Sequence, residues 1–230
     1  MAYTRPLAAV EARILGALME KERTTPDLYP LTVSALLQAC NQKTSREPVT
    51  DYSETAVVEA LDRLRADALV FRVHGSRSER YEHCLDRRWH LDTAGAAAVI
   101  AMLLLRGAQT VAELRARTAR LHPFATAEQV EATLARLAAG EDALARELPR
   151  QPGQRETRWI HLAGTAEVER DLMAGGHRLD ISAPDDGQRA SEPRQRTAEN
   201  GAFGERLERL EAAVAEITEA LAELRARFGD

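Results

Sequence analysis

Cys40, Cys84, His83 and His90 are the residues of this chain whose thiolate and imidazole groups match the usual ligands of zinc. Their spacing argues against a metal site. Cys40 closes an apolar run, where a free cysteine normally serves as a small buried hydrophobe, and His83 and Cys84 fall on opposite faces of a strand. Nucleophilic catalysis needs a serine or cysteine beside a base on a sharp turn. The sequence contains neither a G-x-S-x-G elbow nor a glycine loop able to cradle phosphate. Its carboxylates sit at helix-surface positions, as a solvated face. The expectation is a non-catalytic protein with no metal, no cofactor and no small-molecule substrate.

The chemistry left is contact between arginine and phosphate. Arginines number 29 against two lysines, yet the chain carries 36 acidic residues and a net charge of −5, so any nucleic-acid contact must be local. Lys43 and Arg46 precede a third helix, and Arg72, Arg77 and Arg80 surround a first hairpin. Arg115, Arg117 and Arg120 follow the second helix of a later unit, whose own hairpin carries Arg146, Arg150, Arg155 and Arg158. Lys43, Arg46, Arg77, Arg80, Arg150, Arg155 and Arg158 form the candidate nucleic-acid-binding set, with DNA as the expected partner. Two observations compete with that reading. Arginine and alanine are abundant throughout, as a GC-rich coding habit would produce. The third helix of each unit is acidic, with Glu54, Glu59 and Asp62 beside Arg63 in one and Glu128 and Glu131 beside Arg136 in the other. Carboxylates repel phosphates, so a protein-docking module without nucleic-acid binding stands as the alternative.

The elements that must position these residues follow from periodicity. Val10, Ile14, Leu15, Leu18 and Met19 predict an amphipathic helix over 6–23. Thr32 caps a second helix, with Leu31 and Leu36 as its hydrophobic staple. Ser53 caps a third, striped by Val57, Leu61, Leu64 and Ala68. The period then changes to that of strands at 69–73 and 81–85, joined by a polar loop. The order recurs: a helix from Asp92 or Thr93 closed by Gly107, capping boxes at Thr110 and Thr126, and a hairpin at 143–148 and 157–162. Thr32-Val33 matches Thr110-Val111, and Ser53, Leu61 and Leu64 match Thr126, Leu134 and Leu137 at a slightly smaller offset, which only shortens the connecting loops.

Three helices and a two-stranded hairpin make the sequence form of a winged helix, a helix-turn-helix variant. The fold expected is mainly α with small β-hairpins (α+β): one winged-helix domain over 1–90, a second over 91–163, a flexible linker over 164–202 and a coiled-coil helix over 203–230. The linker follows from sparse apolar residues between Gly164 and Gly201. Phe203, Leu207, Leu210, Val214, Ile217, Leu221, Leu224 and Phe228 alternate four and three residues apart, a heptad seam expected to pair two copies as a homodimer, with a single amphipathic helix folded back on its own body as the alternative. The longest uncharged run, Thr93 to Leu105, is too short to span a membrane. Without a leader or a disulfide framework, a cytoplasmic location is expected.

Three strings carry a resemblance: EKERTTPDLYPLTVSALLQACNQKTSREPV from Glu20 to Val49, LLLRGAQTVAELRAR from Leu103 to Arg117, and LPRQPGQRETRWIHL from Leu148 to Leu162. Together they resemble the signature of the YceH-like family of uncharacterised bacterial proteins, over roughly residues 7–163. Ala108 and Ala112 stand where that pattern more often has Pro and Gly. The resemblance implies tandem winged helices and no reaction.

Overall fold

Two helices with almost no solvent-facing side form the centre of the described residues. α1 (Ala9–Thr24) is buried from Glu11 to Glu20, and α5 (Ala94–Arg106) from Gly95 to Leu105. The second follows from its sequence, AGAAAVIAMLLLR, which has no polar face and must be enclosed on all sides. The structure, a computed structural model, describes residues 5–74, 78–150 and 153–164. Around the central pair stand α2 (Val33–Cys40), α3 (Glu54–Ala66), α6 (Val111–Thr118) and α7 (Ala127–Leu137), with the short α4 (Leu85–Arg88) between the halves. Two antiparallel hairpins complete the order, β1 (Val70–His74) with β2 (Glu79–His83) and β3 (Ala145–Leu148) with β4 (Arg158–His161).

The repeat seen in sequence reappears as repeated hydrogen bonding. α2 and α6 have the same length and begin at matching positions, Val33 and Val111. Leu31 exchanges backbone hydrogen bonds with Tyr81, and Gln109 does so with Trp159, so each hairpin gains a one-residue bridge to the segment before its helix. Cys84 N–H donates to Leu69 O at 3.1 Å, and Leu162 N–H to Leu144 O at 2.8 Å. Thr32, Ser53, Thr93 and Thr110 cap their helices as expected, and Glu113 completes the box at Thr110. Gly107, at a φ of 70°, ends α5 where a side chain would be strained.

Some local expectations change. Thr126 makes no side-chain cap; the Gln129 carboxamide instead accepts from Ala125 N–H at 2.9 Å, one residue upstream. Ala68 is not part of the α3 stripe. It takes a φ of 55° just past the helix, where Leu69 N–H returns to Leu64 O and Ala68 N–H to Arg65 O, a Schellman closure with alanine in the usual glycine place.

The two halves are not separate bodies. One continuous core runs from Leu7 to Ala163, joined where α1 crosses α5, and Leu7 N–H closes the chain onto Ala163 O at 2.7 Å. Gly16 permits that crossing. A Cβ there would stand 2.9 Å from Leu105 Cγ and 3.0 Å from Leu104 Cβ. Gly16→Val is expected to destabilise the fold by about 1–3 kcal/mol through overpacking, read as a lower urea midpoint. A midpoint equal to that of the parent would show that the helices can separate at no cost. The expected linker and coiled coil, 164–202 and 203–230, lie outside the described residues but for Gly164, which bridges to Leu7. No helix among the described residues is long and apolar enough to cross a membrane.

Candidate nucleic-acid interface

The seven predicted phosphate contacts divide by what their side chains already touch. Arg46 is 4% exposed, far from the surface role expected of it. Its guanidinium reaches both carboxylate oxygens of Glu20, at 2.5 and 3.2 Å, and donates to the backbone of Ala39 and Ser45 and to Gln42 Oε1. Arg80 donates to Pro30 O at 2.7 Å, and Arg158 donates to Ala108 O at 2.8 Å and to Glu113 at 2.9 Å. Those two arginines occupy matching places in the two repeats, as do the carbonyls they hold. Each one braces its hairpin against the segment before the second helix of its unit. An arginine that recurs at the repeat offset was the sequence signal for a structural role, and charge counting overlooks it. Arg77 lies outside the described residues.

Lys43, Arg150 and Arg155 are exposed, with no ion pair among the described residues. Lys43 stands apart on the segment between α2 and α3. Arg150 and Arg155 border an open cleft of about 890 Å³ that α6, the start of α7 and the second hairpin enclose. Arg115 joins them there. It lies within α6 rather than after it, and its guanidinium is anchored to Ala125 O at 2.7 Å while its side chain stays exposed. The floor is apolar and small: Ala112, Ala116, Ala119, Pro123, Phe124 and Ala127. Phe124 is fixed edge-on against His122, with ring centroids 4.7 Å apart, and Gly95 leaves room for its ring. Glu131 and Glu156 also line the cleft. Neither the floor nor Phe124 was apparent from sequence, because the pattern does not show how α6, the start of α7 and the segment between them are folded around a cleft.

The helices flanking the hairpins keep their acidic outer faces. On α3, Glu54, Glu59 and Asp62 are exposed, while Arg63 turns back to Glu11 at 2.8 Å and Arg65 pairs with Asp62 at 3.0 Å. On α7, Glu128 and Glu131 face solvent near Arg136. On the first hairpin Arg72 pairs with Glu79 at 2.8 Å.

Cys40, Cys84 and His161 behave as packing groups. Burial pushes the Cys40 thiol up to about 12, and Cys84, also raised by burial, donates to Ala68 O at 2.8 Å. Burial pushes the His161 imidazole down to about 4. Among the described residues no three His, Cys, Asp or Glu side chains are grouped to hold a metal ion.

Residues 7–154 match the family described as a protein of unknown function, DUF480. A UPF0502 protein of Dechloromonas aromatica is 53% identical over 164 residues, which is 70% of this chain and 76% of that protein. One of Cupriavidus taiwanensis is 50% identical over 158 residues, or 69% of this chain and 65% of its own length. One of Paraburkholderia phymatum is 43% identical over 213 residues, 93% of this chain and 88% of its own. With the family match over residues 7–154 and these relatives 43–53% identical over most of the chain, the chain belongs to DUF480, also called UPF0502, the YceH-like family of uncharacterised bacterial proteins.

Proposed function

We propose that the chain is a non-catalytic protein of two fused winged helices that rests its second hairpin on a nucleic-acid phosphate backbone. The observation that carries this reading is the convergence of Arg115, Arg150 and Arg155 on one cleft, with no carboxylate among the described residues paired to them. The third helices, acidic on their outer faces, would add little base readout, so binding is backbone contact without strong sequence preference. Among the described residues Arg46, Arg80 and Arg158 are held by internal partners, so the second hairpin supplies the exposed arginines of this contact.

Three phosphate contacts should give a slope of about −2.7 in log affinity against log salt, at ~0.9 per contact. Fluorescence anisotropy of a labelled duplex across a salt series measures it. The Arg150→Ala, Arg155→Ala double variant should bind more weakly and flatten the slope to about −0.9. Absence of binding at low salt, or a variant that binds as the parent does, would favour the second reading. That reading is a protein-docking module, and the apolar floor under the three arginines supports it. A partner segment with apolar and acidic side chains would complement such a cleft.

A further inference from the structure

Beside the first cleft lies a second, smaller one of about 300 Å³, and its walls are mostly polar. Ala116 borders both clefts. Lys21 enters from the last turn of α1, Arg106 from the end of α5, Arg117 from α6 and Arg120 from just beyond it, so four cations line one cleft. In a chain of net charge −5 this needs a cause. The lone carboxylate among the lining residues, Glu20, is already held by Arg46.

The cations are poorly supplied with internal anions. Lys21, Arg106 and Arg120 form no side-chain hydrogen bond or ion pair among the described residues, and Arg106 Nε is fully buried without a partner. Arg117 donates to Gln109 Oε1 at 3.0 Å and lies 3.5 Å from Glu113, a carboxylate that Arg158 holds more closely at 2.9 Å. Glu47 and Glu113 attract Arg106 only from a distance, while Arg117 and Arg46 repel it; burial is the larger influence and holds its guanidinium below the usual range. Neutral donors complete the wall. Gln42 has its carbonyl oxygen taken by Arg46, so its amide N–H groups remain to donate, and the hydroxyls of Thr44 and Ser45 stand beside it. A carboxylate offers two oxygens in one plane and cannot use donors arriving from four elements. Phosphoryl oxygens accept from several directions at once.

We infer that this cleft is a binding site for a small phosphorylated anion, in which Lys21, Arg106, Arg117 and Arg120 neutralise a diphosphate group and Gln42 and Ser45 donate to its oxygens. Met102 and Leu121 supply the apolar part of the wall, which a nucleoside or similar body would cover. The ligand would tie α1 and the α2–α3 segment to α5 and α6, and so stabilise the fold by mass action.

Isothermal titration calorimetry of the full chain with sodium pyrophosphate tests this, with ADP, orthophosphate and citrate as parallel titrants. Pyrophosphate should bind more tightly than orthophosphate or citrate and raise the unfolding temperature. ADP binding tighter than pyrophosphate would identify a nucleotide as the source of the diphosphate, whereas equal affinities would identify the free diphosphate. The Arg106→Gln, Arg120→Gln double variant should bind pyrophosphate at least tenfold more weakly, and its unliganded unfolding temperature, measured in parallel, reports whether it is folded. A second variant, Lys21→Gln, lies on another element and should weaken binding as well. No heat with pyrophosphate, citrate binding as tightly as pyrophosphate, or folded variants of unchanged affinity would each overturn the assignment. The Arg150→Ala, Arg155→Ala protein should keep its pyrophosphate affinity, which separates this site from the proposed nucleic-acid contact.

Discussion

Glu20→Ala is expected to cost about 3–5 kcal/mol of folding free energy, because it strands a buried guanidinium without its carboxylate. The Arg46 side chain is fully buried and that of Glu20 is 11% exposed. Two contacts to the carboxylate and three further hydrogen bonds hold Arg46 in place, so the pair is well satisfied as it stands. Removal of the carboxylate leaves a buried charge with only neutral acceptors, and the desolvation penalty of that charge is no longer offset. For a unit of this size the loss corresponds to a drop of roughly 6–20 °C in unfolding temperature. Circular dichroism with urea and heat measures both. Glu79→Ala, which breaks the half-exposed pair with Arg72, serves as the contrast and should cost no more than about 1 kcal/mol. Equal costs for the two variants would refute the distinction between an interior and a surface pair. The consequence for function is that Arg46 shapes the wall of the polar cleft by fixing Gln42 and is itself unavailable to a nucleic acid.

The second large effect is loss of stability in acid, traced to one imidazole. His161 is 3% exposed, and neither of its ring nitrogens has a hydrogen-bond partner. Burial alone pushes it from an ordinary 6.5 down to about 4. An unfolded chain takes up a proton near pH 6.5, whereas the folded one refuses it until about pH 4, so the unfolded state binds more protons across that window. The contribution is fully present above pH 6.5 and falls as pH drops toward 4, at about 1.4 kcal/mol per pH unit and roughly 3 kcal/mol in all. Subtracting the unfolding free energy of His161→Leu from that of the parent isolates this residue from the carboxylates titrating in the same range. The difference should slope with pH below 6.5, and a constant difference would refute the account. Its counterpart in the first hairpin, His83, differs in surroundings: its Nε2 lies 3.1 Å from Glu22, and its Nδ1 faces Leu85 N–H at 3.3 Å. The repeat thus preserved the position of the histidine and not its partners.

Much of the local structure was legible because its causes are local. A hydroxyl three residues ahead of a free N–H caps a helix whatever else the chain does, and Thr32, Ser53, Thr93 and Thr110 do so here. Alternation of period marked both hairpins, although the strands begin and end one or two residues from where side-chain pattern placed them. The match of Thr32-Val33 with Thr110-Val111 is accompanied in the structure by equivalent bridges at Leu31 and Gln109. Even the merging of the two units had a trace in the sequence, since a helix as apolar as α5 cannot be one face of a small separate core.

The use of each charge was settled only in three dimensions. Arg46 finds Glu20 across 26 residues of chain, and Arg80 and Arg158 each find a carbonyl across 50. Arg106 closes its helix as an ordinary terminal cation and yet meets Lys21, Arg117 and Arg120 in a common cleft. Residue type and spacing dictate hydrogen bonds within one turn or one hairpin, and for that reason the amino-acid order alone determined the helices, the ribbons and their duplication. Burial and ion pairing depend on which distant segments the shared core presses together, so the tertiary structure alone decided which arginines brace the fold and which stay exposed.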